Sequence, residues 1–303
     1  MTTVPSRKKR LEENIESILN QTYKFDKLVI NIDDNLSQED IDWYKEFAKK
    51  DSRIEIGFGE AKWRSCNKLL PTIKKYPDDV IITIDDDVYY PDECVERLVK
   101  KHIEYPDVVV AHEINPLIVN KKTKTLFYFN SFDIKLEQIE YGKYLSNCSL
   151  FPPHIFDNTD LYDYDKMMMV TKGNHDEYWF WINSTLNHVK SIGLDYIYTF
   201  SFDVKSEWQD EEYRLSNINN KGETIQEYAN IFNKTYGKQI YDIVTSEPVV
   251  FFVTQQNSQL FLSVMHQIAQ LYNYGIKLKF DKNVTSGYRN LIKDFFQKHY
   301  QKN

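Results

Sequence analysis

An apolar run that ends in three acidic residues, Val80-Ile81-Ile82-Thr83-Ile84-Asp85-Asp86-Asp87, decides the fold of this chain. Its β-branched residues are typical of a buried strand in a parallel sheet. The acidic residues then stand at the carboxyl end of that strand. In open α/β sheets, ligands bind outside the carboxyl ends of the strands. The stretch therefore predicts both a fold class and the position of a site.

The three adjacent carboxylates also indicate a cation site. Without a neutralising partner they repel one another, and their ionisation is disfavoured. A divalent cation removes this conflict, and hard oxygen ligands suit Mg²⁺ or Mn²⁺. A diphosphate is the natural second ligand of such an ion, which would offset charge on a departing nucleoside diphosphate. The alternatives are an acidic turn or a charge cluster at a helix N-terminus. An EF-hand is disfavoured because its glycine and its spaced aspartates are absent.

Strand and helix signals alternate outward from this stretch. Predicted strands cover 27–32, 53–58 and 108–111, and predicted helices cover 11–19, 67–75 and 92–102, with one more helix after the N-cap Ser37. This alternation predicts a mostly parallel, doubly wound sheet. Asp33 and Asp34 end the strand at 27–32, so they should converge with the acidic run on one crevice. Residues 2–7 form a loop with no strand before it, whereas a nucleotide-binding sheet normally begins with a strand. We expect either that the fold tolerates the loss of this strand or that the chain is clipped.

The chain changes character after residue 112. Residues 113–175 are irregular and aromatic, with one strand expected at 125–130. Helices are expected at 176–189 and 223–234, with a loop at 199–221 between them. The last residues repeat strand, helix, strand and helix at 249–253, 258–272, 276–280 and 286–300. We therefore expect a domain over 1–240 and a βαβα extension over 241–303, which docks on the domain or begins a second one.

Composition excludes several classes of protein. The net charge of −7 argues against a nucleic-acid partner, because phosphate backbones recruit basic faces. We interpret the one basic run, Arg7–Arg10, as the solvated first turn of a helix. No stretch approaches the ~18 apolar residues of a membrane span, and no signal peptide opens the chain. Three scattered cysteines form neither a disulfide framework nor a zinc motif, so a cytoplasmic location is the simplest expectation.

Asp85 and Asp87 resemble the two acidic positions of the DXD motif in GT-A glycosyltransferases. Other segments resemble bacterial family-2-like transferases in the same order. Thr2–Arg7 and Ile15–Thr22 are similar to their nucleotide loop and first helix, Leu150–Pro153 to a Y-P-P segment, and Asp176–Phe180 to an acidic pair followed by tryptophan. The resemblance extends over about residues 1–235 and does not include the C-terminal extension.

This resemblance implies a GT-A fold, which is Rossmann-like, with a mostly parallel sheet flanked by helices and a short C-terminal α/β appendage. Residues 1–112 would be the nucleotide-binding half and 113–240 the acceptor half. The implied activity is a metal-dependent, inverting hexosyltransferase. It would move a sugar from a nucleoside-diphosphate sugar, expected to be a UDP-sugar, to an oligosaccharide or lipid-linked glycan in surface polysaccharide synthesis. Peripheral contact with a membrane is compatible with such an acceptor.

The resemblance also implies roles for single residues. Asp85 and Asp87 would bind Mn²⁺ or Mg²⁺. The expected donor contacts are Pro5 and Arg7 beside the nucleotide, Asp33 or Asp34 at the base or ribose, and Lys68 and Asp86 at the donor. A solvated helix lysine is the alternative for Lys68. Ser146–Ser149 stand where some relatives have a glycine-rich stretch, so the geometry of the acceptor site is not carried over.

Asp176 and Glu177 are the candidate catalytic pair. Inverting transfer needs a base that takes the proton of the acceptor hydroxyl, and a carboxylate in a cleft can act in this way. Trp179 and Trp181 could then stack on a sugar ring. The alternative is that the two acids favour the helix dipole and the tryptophans belong to the core. The resemblance points to the second acid, Glu177, and leaves Asp176 as the other candidate.

The sequence leaves open a ligand role for two histidines and two functions other than sugar transfer. His154 and His175 could bind the metal or a phosphate, although surface positions are the simpler interpretation. A sugar-nucleotidyltransferase would carry a glycine-rich basic loop where Arg7–Arg10 lacks glycine. A non-catalytic module that binds glycan or metal would need no donor. Release of pyrophosphate would identify the first of these, and absence of metal-dependent nucleotide binding would identify the second.

Overall fold

The computed structural model describes residues 1–112, 114–128, 136–144, 148–173, 175–194 and 225–300. The predicted loop at 199–221 lies outside them, as do the ends of two predicted elements, 129–130 and 223–224. The first half contains, in order, α1 (Lys8–Leu19), β1 (Leu28–Asp33), α2 (Gln38–Ala48), β2 (Ile54–Gly59), a 3₁₀ segment (Ala61–Lys68), α3 (Leu70–Lys75), β3 (Ile81–Ile84), α4 (Cys94–Glu104) and β4 (Val109–Ala111). These are the alternating strands and helices that the sequence predicts.

The second half contains shorter strands and a second group of helices. In order these are β5 (Ile114–Asn115), β6 (Leu117–Asn120), β7 (Thr125–Tyr128), β8 (Gln138–Glu140), β9 (Lys143–Tyr144), β10 (Cys148–Phe151), α5 (Tyr164–Thr171), α6 (Asp176–Leu186), β11 (Ser191–Gly193), α7 (Ile225–Phe232), a π-helical segment (Asn233–Gly237), α8 (Lys238–Val244), β12 (Val249–Val253), α9 (Ser258–Leu271), β13 (Ile276–Phe280) and α10 (Ser286–Tyr300). Among the described residues, no helix is both long and apolar enough to cross a membrane.

Local chemistry explains where the first helices form. Leu11, Ile15 and Ile18 are buried on one face of α1, as the 3.6-residue period requires. Helix α2 begins after Ser37, whose hydroxyl accepts a hydrogen bond from the backbone N–H of Asp40 at 3.1 Å. This bond satisfies one of the amide groups that have no partner within the helix.

Seven strands form one sheet in the order β13-β12-β8-β11-β4-β10-β3. Five of them run in one direction, while β8 and β10 run in the other. The prediction of a strand at residues 80–84 is right, but the prediction that it pairs with parallel neighbours is wrong among the residues that the structure describes. Strand β3 pairs antiparallel with β10, because residues 148–151 return to the sheet between β3 and β4.

Strands β1 and β2 form a separate parallel pair. A cavity of about 480 Å³, lined by apolar, aromatic and charged side chains that include Val29 of β1 and Ile82 of β3, lies between this pair and the main sheet. The chain begins at the same place: the amino group of Met1 donates to the carbonyl oxygen of Val29 at 3.0 Å. Thr2 then makes one parallel bridge to Asn31. The loop at residues 2–7 is thus anchored along β1.

The C-terminal elements extend the main sheet. Strand β12 pairs antiparallel with β8 and parallel with β13. Val249, Phe251 and Val253 are at most 1% exposed and pack with α9 and α10 in a hydrophobic cluster of their own. The boundary near residue 240 stays a prediction, since the strands on its two sides belong to one sheet.

Candidate active site

Strand β3 ends at Ile84, and the three acidic side chains that follow have different surroundings. Asp86 is 2% exposed and accepts hydrogen bonds from Thr3 Oγ1 and Arg7 Nη1, each at 2.7 Å. Asp87 is 33% exposed, and its Oδ2 lies 3.7 Å from Arg7 Nη1. The middle carboxylate therefore fixes the N-terminal loop, while Asp87 faces the open side.

The first acid, Asp85, forms an ion pair that reaches across the fold. Lys68 is only 7% exposed, and its Nζ lies 2.6 Å from Asp85 Oδ1 and 3.1 Å from Asp176 Oδ2. Burial acts to lower the pKa of Lys68, but Asp176 and Asp85 outweigh it and raise that pKa above its ordinary value. Burial also raises the pKa of Asp85, and Lys68 offsets only part of this. Lys68 thus joins the acidic run after β3 to the first residue of α6.

Glu177 follows Asp176 and has a different set of partners. Its Oε1 lies 3.4 Å from Lys143 Nζ and 3.5 Å from His175 Nδ1, and the side chain is 20% exposed. Burial opposes ionisation, but Lys143 and His175 outweigh it and hold the pKa of Glu177 well below its ordinary value. Glu177 is therefore a carboxylate at neutral pH, and part of it is open to solvent.

The end of β1 is tied to the same place through the 3₁₀ segment. Asp33 Oδ1 accepts a hydrogen bond from Asn67 Nδ2 at 3.1 Å, and burial raises the pKa of Asp33. Asp34 Oδ1 accepts from the backbone N–H of Ala61 at 3.1 Å. Because Asn67 directly precedes Lys68, the structure brings the carboxyl ends of β1 and β3 together, in the arrangement that the sequence predicts.

The N-terminal loop corrects one interpretation. Pro5–Arg7 form a short 3₁₀ turn before α1. The interpretation of Arg7–Arg10 as a solvated first helical turn holds for Lys9, which is 89% exposed, but not for Arg7, whose guanidinium is 17% exposed and paired with Asp86. The side chain of Lys8 likewise pairs with Asp40 at 2.7 Å. A position of Pro5 and Arg7 beside a nucleotide stays a prediction.

The tryptophans of α6 do not line the cleft. Trp179 and Trp181 are 0% and 1% exposed. Their indole N–H groups donate to the carbonyl oxygens of Leu161 and Tyr141, at 2.9 and 2.7 Å. The hypothesis that they stack on a sugar ring is therefore wrong, and the alternative, core packing, is right. Helix α6 is buried on nearly all sides, so the pattern of apolar and polar residues in its sequence does not show which side faces the cleft.

The two histidines have separate positions. His154 is 55% exposed and forms contacts with Asp78 and Asp157 at the surface. His175 lies beside Glu177. Over the ranges that the structure describes, no group of three or more His, Cys, Asp or Glu side chains is placed to hold a metal ion. Neither histidine therefore joins Asp85 and Asp87 in a three-ligand protein site.

Asp85 and Asp87 nevertheless fit a divalent cation of the Mg²⁺ or Mn²⁺ type. They offer hard carboxylate oxygens at one strand end, and Mg²⁺ commonly takes one or two carboxylates and completes its shell with water and phosphate oxygens. The cavity between β1 and β3 is a different place, because Lys68 and Ile84 line it but none of the site carboxylates does.

Sequence reasoning missed three members of the site. Thr3 lies in the N-terminal loop, where only Pro5 and Arg7 were predicted as site residues. Asn67 directly precedes Lys68, which was predicted as a donor contact. Lys143 stands in the two-residue strand β9 and carried no signal of its own. It reaches Glu177 only because β9 packs beside α6 in the folded chain.

Two solved structures share a distant similarity with this chain. One is the mannosyltransferase PcManGT from Pyrobaculum calidifontis in complex with GDP-Man and Mn²⁺, at 12% identity and a TM-score of 0.43, over 100% of this chain and 86% of that one. The other is S. aureus TarS 1-349, at 11% identity and a TM-score of 0.40, over 98% of this chain and 90% of that one. No curated protein gives a significant match.

The sequence itself gives the family. Residues 3–158, just over half of the chain, match the family described as glycosyl transferase family 2. This segment holds the N-terminal loop, β1 to β4 and the acidic run, whereas Asp176 and Glu177 lie beyond it. The predicted fold class is confirmed: a GT-A type α/β fold with a largely parallel central sheet flanked by helices. The chain belongs to glycosyl transferase family 2.

Proposed function

We propose that this glycosyltransferase moves a hexose from a nucleoside-diphosphate sugar, with a UDP-sugar as the first candidate, to a glycan acceptor, with inversion at the anomeric carbon. A role in surface polysaccharide synthesis, an oligosaccharide or lipid-linked acceptor and a cytoplasmic site of action belong to the same proposal. One observation carries it. Lys68 contacts both Asp85 and Asp176, so the donor-side acids and the acidic pair of α6 meet at one place.

On the donor side, Asp85 and Asp87 would hold Mn²⁺ or Mg²⁺. When bound, such an ion stabilises negative charge on the departing nucleoside diphosphate. Asp33 or Asp34, at the end of β1, would contact the base or ribose. Asp86 has both carboxylate oxygens engaged by Thr3 and Arg7. Its proposed contribution to donor binding is therefore to hold the N-terminal loop in place.

On the acceptor side, the contacts favour Glu177 as the base. Asp176 is 8% exposed and held by Lys68, which suits a positioning role. Glu177 is more exposed and is kept ionised by Lys143 and His175. It would take the proton of the acceptor hydroxyl as that oxygen bonds to the anomeric carbon and the bond to the diphosphate breaks. A weakly basic carboxylate suffices where the sugar carbon is already electron-deficient in the transition state.

Two pairs of variants test this proposal. Asp85→Asn and Asp87→Asn should each lose Mn²⁺-dependent binding of UDP or GDP in titration calorimetry, whereas Asp79→Asn, an exposed acid before β3, should bind as wild type does. Unchanged binding by both site variants would reject the metal assignment. Glu177→Gln should keep donor binding and lose transfer by about 100-fold or more. Normal transfer by Glu177→Gln beside an inactive Asp176→Asn would assign the base to Asp176.

A further inference from the structure

The main sheet and the pair of β1 and β2 face each other across a gap. Strand β3 is the last strand in the order of the main sheet, and β2 is the only strand that pairs with β1 among the elements that the structure describes. Both strands line the cavity of about 480 Å³ between them: β3 contributes Ile81, Ile82 and Ile84, and β1 contributes Leu28 and Val29. A strand edge carries backbone N–H and C=O groups that can pair with a further strand. The cavity therefore lies between two strand edges.

Helices cover this cavity on both faces of the sheet. Ile18 of α1 and Val99 of α4 line it on one face, and Thr72 of α3 lines it on the other. The neighbours Ile81 and Ile82 of β3 pack with different hydrophobic clusters, as expected where successive side chains of a strand point to opposite faces. A space between two strand edges, with helices on both faces, is the space that one strand occupies in an α/β sheet.

The lining of the cavity changes from apolar inside to charged at its opening. The aliphatic residues Val29 and Val95 are buried, whereas Ile103 is 70% exposed. Apart from Lys68, the charged residues of the lining are exposed: Lys24, Asp26, Lys27 and Asp79. A strand that is covered on both faces is almost continuously apolar. The lining therefore favours an extended segment with apolar side chains on both of its faces.

The first two residues already follow the path of such a strand. The amino group of Met1 donates to the carbonyl oxygen of Val29 at 3.0 Å, and the backbone N–H of Asn31 donates to the carbonyl oxygen of Met1 at 2.9 Å. This is the bonding pattern of a parallel pair, and the bridge from Thr2 to Asn31 continues it. Burial lowers the pKa of the Met1 amino group to about 5. A peptide N–H at this position would form the same hydrogen bond without the burial of an ionisable group.

We propose that this cavity is a slot for one further β-strand, an apolar segment of about five residues that is joined to Met1 by a peptide bond. The segment runs parallel to β1, lies between β1 and β3, and joins the two sheets into one. A strand from a separate molecule is disfavoured, because the Met1 amino group already holds the carbonyl oxygen of Val29. The segment leads into the loop whose Thr3 and Arg7 hold Asp86, so the filled slot also supports the candidate active site.

Three N-terminal extensions test the slot. The first fuses Val-Ile-Val-Ile-Val to Met1, and its matched control fuses Gly-Ser-Gly-Ser-Gly. The melting temperature of the first should exceed that of the control by at least about 5 °C, because the segment buries apolar surface and pairs two strand edges. Hydrogen exchange of residues 27–33 and 80–84, followed by mass spectrometry, should slow in the first alone. The third extension places proline two residues before Met1, where the backbone N–H would donate to Lys27, and should lose the gain.

The same measurements can overturn the inference. Equal melting temperatures for the apolar extension and the Gly-Ser control would do so, as would a proline extension that is as stable as the apolar one. Aggregation of the apolar extension beside a soluble control would show that the segment is not covered by the slot. Stabilisation by the same peptide as a separate molecule, without any by the fused segment, would assign the slot to a second polypeptide. None of these readouts uses sugar transfer, so the inference and the proposed function can fail separately.

Discussion

Replacement of Lys68 by methionine removes the charge that holds the site together and keeps the side-chain length. The Lys68 ammonium is 7% exposed and lies 2.6 Å from Asp85 and 3.1 Å from Asp176, whose side chains are 27% and 9% exposed. Without it, two poorly solvated carboxylates face each other with no compensating cation. Loss of one partner from a buried ion pair costs about 3–5 kcal/mol. Since Asp85 keeps some contact with water, we expect the lower end, about 3 kcal/mol of unfolding free energy.

Urea denaturation at pH 7, followed by tryptophan fluorescence, measures this loss directly. The double variant Lys68→Met/Asp176→Asn should recover a large part of the stability, because it removes one of the two repelling charges. Lys62→Met is the matched control: its partner Glu60 is 60% exposed, so no measurable change is expected. A Lys68→Met protein within about 0.5 kcal/mol of wild type would refute the view that Lys68 stabilises this junction.

Three other outcomes follow from the structure. Burial raises the pKa of Glu140 to about 7, although Tyr272 donates a hydrogen bond to it at 2.8 Å. The folded chain therefore holds this proton more tightly than the unfolded chain, so about 3 kcal/mol of stability present below pH 4.5 is lost as the pH rises to about 7. Urea denaturation of Glu140→Gln at a series of pH values should lack this dependence on pH, whereas an unchanged dependence would assign it to other groups. Trp181→Phe should lose about 2 kcal/mol of unfolding free energy, because the buried carbonyl of Tyr141 loses its hydrogen-bond donor. The KM for the sugar donor should be unchanged. A raised KM with normal stability would instead indicate that Trp181 contacts the substrate. A chain that lacks residues 246–303 exposes the edge of β8 and should aggregate on size-exclusion chromatography; a monomeric, active product would show that the extension is dispensable.

Local patterns predicted the elements of the first half well. The helix and strand periods between residues 8 and 111 are long and regular, and the acidic residues mark the ends of β1 and β3. These signals depend on neighbours in the sequence, which are visible without a fold. For the same reason, Asp33, Asp85 and Asp87 could be assigned to the carboxyl ends of their strands before any contact was known, although β1 and β3 belong to separate sheets.

Contacts between distant segments could not be predicted in this way. The pairing of Lys68 with Asp176 joins two segments whose local patterns do not refer to each other. The return of residues 148–151 between β3 and β4 reverses the expected neighbour of β3. Strands of two to four residues, such as β5 and β9, are too short to show a period. In α6, burial on nearly all sides concealed that Trp179 and Trp181 belong to the core.

In the proposed function, the acids joined by Lys68 form one active site for sugar transfer. The most direct measurement is product analysis after incubation of the protein with Mn²⁺ and a panel of nucleoside-diphosphate sugars, beside Glu177→Gln and a sample with EDTA. We predict release of the nucleoside diphosphate from one of these donors, abolished by EDTA and at least about 100-fold slower in Glu177→Gln. Release of pyrophosphate, or turnover that neither EDTA nor Glu177→Gln affects, would contradict the proposed function.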